Sequence, residues 1–103
     1  MTDVLECRLD IFDGPEKLRY DALREAMKAA VEEVRELADG YAARLRPDPA
    51  LFRQVAEWIT LERRCCPFLG LGLNCSESDA VWLSLTGGPG VKAFLAVTLA
   101  SRS

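Results

Sequence analysis

The segment Glu62-Arg63-Arg64-Cys65-Cys66-Pro67-Phe68 crowds more reactive side chains together than any other part of this 103-residue chain. On a helix that reaches Cys66, Glu62 stands one turn before both thiols, at i+3 and i+4, so a carboxylate and two sulfurs project from one patch. Thiolates are soft ligands suited to Zn, Cu(I) and heavier thiophilic ions such as Hg or As(III), and a third sulfur would complete a three-coordinate site. Cys7 is the natural donor of that sulfur. Adjacent cysteines rarely bridge each other, because the ring so formed strains the peptide between them. The competing reading is packing. Cysteine is often a small buried hydrophobe, and Cys65 would continue an apolar stripe through Trp58 and Ile59. The negative end of a helix also disfavours a thiolate, with Arg63 and Arg64 pushing the other way.

Other chemistry is narrower. The chain has no histidine, which removes Ser-His and Cys-His nucleophile pairs and every zinc site that needs imidazole. A thiol redox enzyme is disfavoured by the lack of C-x-x-C and by the dipole sign at a helix end. Cys75 shares a strand face with three leucines and is expected to pack there. Gly87-Gly88-Pro89-Gly90 lacks the Lys-Ser/Thr ending of a phosphate loop and reads as a turn into a helix.

The elements that must position these groups are legible from periodicity. Residues 4–12 alternate, with Leu5, Cys7, Leu9 and Ile11 on one face, and predict a first strand. Asp13, Pro15 and Glu16 carry the signature of a helix start, and a helix over about 16–30 places Tyr20, Leu23, Met27 and Ala30 on one stripe. Strands over 31–37 and 41–46 flank the hairpin signal Asp39-Gly40. A second helix runs over about 49–65, with the stripe Leu51, Phe52, Val55, Trp58, Ile59, Glu62, Cys65 and Cys66, and Pro67 stops it. Strands over 68–74 and 80–86 set Leu69, Leu71, Leu73 and Cys75 beside Val81, Leu83 and Leu85, while Phe68, Gly70, Gly72 and Trp82 take the other face. An apolar helix over 91–100 closes the chain. The order β-α-β-β-α-β-β-α predicts one α+β domain of two layers, a mostly antiparallel sheet with helices on one face, ferredoxin-like in outline.

Composition agrees with a single globular domain: half of the residues are hydrophobic and 28% charged, with seven Gly and five Pro. A net charge of -3 gives no general attraction for nucleic acid or an anionic membrane surface. No stretch is apolar for long enough to span a membrane. The first residues, MTDVLECRLD, lack the basic and apolar regions of a secretory signal, so the expected location is cytoplasmic, where free thiols persist.

Cys7 in a first strand, Gly40-Tyr41 in a hairpin, Trp58-Ile59, the Glu62–Phe68 segment and Leu85-Thr86-Gly87 with Gly90-Val91-Lys92-Ala93-Phe94-Leu95 together resemble a family of small bacterial proteins. Its specific mark is E-R-x-C-C-P-F coupled to an N-terminal Cys. The family has no established activity and a soft association with heavy-metal handling. The resemblance points to Cys7, Cys65 and Cys66 with Glu62 beside them, while Cys75 stands outside the pattern. Gly87-Gly88-Pro89-Gly90 departs slightly from the family's Thr-Gly-Pro-x-Gly form.

The sequence thus points to a cytoplasmic, thiol-based binding protein for a soft metal or metalloid, rather than an enzyme. The alternative is a non-catalytic dimeric interaction domain in which the cysteines only pack. Trp82, on a face of glycines, and the apolar last helix predict a homodimer.

Overall fold

The computed structural model describes residues 7–77 and 80–100, the last three for their backbone alone. Helix α1 (Gly14–Ala30) begins where the sequence predicts. The Asp13 carboxylate accepts from the Glu16 N–H at 2.8 Å and Glu16 accepts in return from the Asp13 N–H at 3.3 Å, closing a capping box. Its stripe of Tyr20, Leu23, Met27 and Ala30 is buried.

Strands β1 (Val31–Leu37) and β2 (Gly40–Leu45) form a hairpin across a two-residue loop, with Leu37 opposite Gly40. Gly40 is not there for turn geometry, since Gly90 is the glycine with a positive φ. It is there for clearance. A Cβ at position 40 would run into the Leu85 carbonyl of the neighbouring strand. Helix α2 (Pro49–Cys65) is capped by Asp48, whose carboxylate accepts from the Ala50 N–H at 2.9 Å. Its buried stripe is Leu51, Val55, Trp58, Glu62 and Cys65, whereas Phe52 turns outward at 36% exposure.

Strands β3 (Gly70–Cys75) and β4 (Val81–Thr86) complete an antiparallel sheet of order β1-β2-β4-β3. The pairing sets Leu71 opposite Leu85, Leu73 opposite Leu83 and Cys75 opposite Val81, which is the register the leucine row requires. Cys75 corrects one expectation. It keeps that register but lies at the last position of β3 and is exposed, not packed. Phe68 also differs: it sits ahead of β3, and its ring meets Phe94 edge-on at 5.3 Å. Helix α3 (Val91–Ala100) buries Val91 and Leu95 and exposes Val97. On the outer face the Arg35 guanidinium lies 4.5 Å from the Trp82 ring centre. The result is an α+β fold of two layers, helices against one face of an antiparallel sheet. Among the described residues no helix is long and apolar enough to cross a membrane.

The predicted first strand is the main correction. Residues 4–6 lie outside the described residues, Cys7 and Arg8 have no regular structure, and Leu9–Ile11 form a short 3-10 turn. The backbone donors explain why. The Arg8 N–H goes to the Cys65 carbonyl at 2.7 Å, and those of Ile11 and Phe12 go back to Arg8 and Leu9 at 3.2 and 3.3 Å. Alternating side chains do not make a strand when the ladder bonds go elsewhere.

Candidate functional site

The end of α2 carries the site. Helical spacing puts Glu62 and Cys65 on the buried face together, as the sequence predicts. At Cys66 the backbone leaves the helix, its N–H still bonded to the Glu62 carbonyl at 2.7 Å, and Pro67 prevents a further turn. The Arg8–Cys65 backbone bond draws the N-terminal segment under this helix end. Cys7 therefore arrives where the third sulfur was expected, but from an irregular segment and not from the sheet.

Cys7 and Cys66 are joined in a disulfide across a sequence separation of 59. This departs from the expectation of free thiols. Residues far apart in sequence bridge without the strain that the adjacent pair would suffer, so Cys66 bonds Cys7 and Cys65 stays free. The Cys65 sulfur lies 3.6 Å from that of Cys66 and 3.2 Å from the Glu62 Oε1, to which the thiol donates. The ligand atoms of Cys7, Glu62 and Cys66 all lie within 4.8 Å of one another. The Cys65 sulfur stands beside this group, against Glu62 and Cys66.

Glu62 is the buried acid of the core, 6% exposed, and it is not left unpaired. The Tyr20 hydroxyl of α1 donates to its Oε1 at 2.7 Å, the same oxygen that takes the Cys65 thiol. A buried acid needs such donors to offset lost hydration. Burial pushes the Cys65 thiol up to about 12, and the hydrogen bond to Glu62 and its charge push the same way. Burial and the nearby Glu62 likewise hold the Tyr20 phenol far above its ordinary range. Cys65 is therefore a protonated thiol at neutral pH. The cations beside it do not reverse this. Arg64 pairs with Glu16 at 2.8 Å and lies over the Phe12 ring at 5.2 Å.

Beside the cluster a cavity of about 350 Å³ runs between the helices and the sheet, with Cys7, Tyr20 and Glu62 in its wall. The sequence reading missed Tyr20 as a partner of Glu62, and it missed the cavity. Tyr20 sits on the stripe that faces the core, but spacing within α1 carries no information about which residue of α2 it meets. No family model matches the chain, and neither a curated protein nor a solved structure matches it.

Proposed function

We propose that the reduced protein binds a soft metal or metalloid ion through the sulfurs of Cys7, Cys65 and Cys66, with Glu62 beside them. The observation that carries this reading is the grouping of Cys7, Glu62 and Cys66 at the end of α2, with the Cys65 sulfur against the last two. Two sulfurs that ligate one Zn at about 2.3 Å in a tetrahedral shell stand roughly 3.8 Å apart. The Cys65–Cys66 separation of 3.6 Å supports such a shell. The disulfide holds the site closed. Reduction by a dithiol adds two electrons and two protons, turning the Cys7–Cys66 bridge into two thiols. Metal then displaces the protons of the ligating sulfurs, so binding releases protons and strengthens as pH rises. Burial and Glu62 push the Cys65 thiol up, so its ligation in particular is favoured by rising pH. A cytoplasmic setting, where such bridges are reduced, suits this reading, and so does the resemblance to small bacterial proteins linked with heavy metals. A homodimer through the Trp82 face or α3 belongs to the same proposal.

The test is competition between reduced protein and a coloured chelator for Zn, with Cu(I), Hg and arsenite in parallel. The proposal expects one ion per chain, lost on replacing Cys65 and Cys66 together by Ser and kept in Cys75→Ser. Failure of all four ions to bind would overturn it.

A further inference from the structure

The cavity beside the cysteine cluster has features that the metal reading does not use. Its volume of about 350 Å³ falls in the range of small-molecule sites. Leu45, Leu83, Leu85 and Leu95 give it an apolar floor and side. Polar groups break that wall: Tyr20 and Glu62, bonded to each other, and the bases Arg24 and Lys28, one turn apart on α1. Lys28 reaches Glu25 only at 3.6 Å, and Arg24 has no carboxylate partner among the described residues.

From these observations we infer that the cavity binds a small apolar acid, a molecule with a hydrocarbon body and one carboxylate. The body lies on the leucines, where burial removes apolar surface from water. The carboxylate meets Arg24 and Lys28. A cationic head would be repelled by the two bases, and an alcohol would leave their charge unused. This inference is independent of the metal, because it uses the oxidised protein with its bridge intact.

The experiment is calorimetric titration of the oxidised full-length protein, without metal, using decanoate, decanol and decyltrimethylammonium below their micelle concentrations. Decanoate is expected to saturate one site per chain. Decanol should bind about tenfold more weakly, the worth of one hydrogen bond to a charged group, and the cation more weakly still. Arg24→Gln combined with Lys28→Gln, both at partly exposed positions, should bring decanoate down to the affinity of decanol. Absence of saturable decanoate binding, equal affinity for the three head groups, or a paired basic variant that binds decanoate as the parent does would each overturn the inference.

Discussion

Opening the Cys7–Cys66 bridge should destabilise the fold by an amount set by the length of chain it closes. The bonded residues are 59 apart in sequence. Loop-closure entropy for a loop of that length gives about 4 kcal/mol at 25 °C. In a domain of this size 1 kcal/mol moves Tm by roughly 4–8 °C, so reduction should lower Tm by roughly 15–30 °C. The assay is urea unfolding of oxidised and reduced protein, both carrying Cys75→Ser so that the exposed thiol forms no bridges between chains. With a urea slope of about 2 kcal/mol/M, the midpoints should differ by roughly 2 M. Cys7→Ser should behave as the reduced protein does and lose all sensitivity to reductant. Metal that ligates Cys7 and Cys66 closes the same loop by another route. At 100 times its dissociation constant it should return about 2.7 kcal/mol to the reduced protein. Equal midpoints for the oxidised and reduced forms would refute the loop argument, and with it the placing of Cys7 under the end of α2.

Three further outcomes follow from named residues. A thiol in the unfolded chain ionises near 8.5 while folded Cys65 is pushed up to about 12, so the unfolded state loses its proton first. Stability should therefore fall as pH rises from about 9 towards 12, and Cys65→Ala should flatten that fall in unfolding curves taken at pH 8 and pH 10.5. Gly40→Ala should cost about 1–3 kcal/mol by urea unfolding, because the new methyl meets the Leu85 carbonyl of β4. Light scattering at micromolar concentration should give twice the 11.4 kDa chain mass, and Trp82→Ala should shift it towards the monomer; a chain mass unchanged from the monomer in the parent protein would remove the dimer.

The sequence was informative where local rules act alone. The span of α2 from Pro49 to Cys65 follows from a cap, a stripe and Pro67, and these fix Glu62 and Cys65 on one face. The leucine register of β3 and β4 follows from alternation and a short turn. It was misleading where a tertiary bond overrides a local pattern. Residues 7–12 alternate like a strand, yet the Cys65 carbonyl takes the donor of Arg8 and the ladder never forms. Cys75 follows the leucine row in register but lies where the row ends, and burial at a strand terminus depends on how far the helices above it reach. The Cys7–Cys66 pairing and the Tyr20–Glu62 bond, 42 residues apart, depend on which elements meet, and no spacing rule within one element carries that.

The central claim is that three sulfurs of this chain hold one soft ion, and counting the sulfurs around that ion tests it most directly. Reduced protein carrying Cys75→Ser, loaded with one equivalent of Zn, should be measured by X-ray absorption at the metal edge. The account predicts three sulfur neighbours at about 2.3 Å and one oxygen at about 2.0–2.2 Å from Glu62 or water. Cys7→Ser should lower the sulfur count by one. A shell of nitrogen and oxygen alone, or a sulfur count that Cys7→Ser leaves unchanged, would contradict the account.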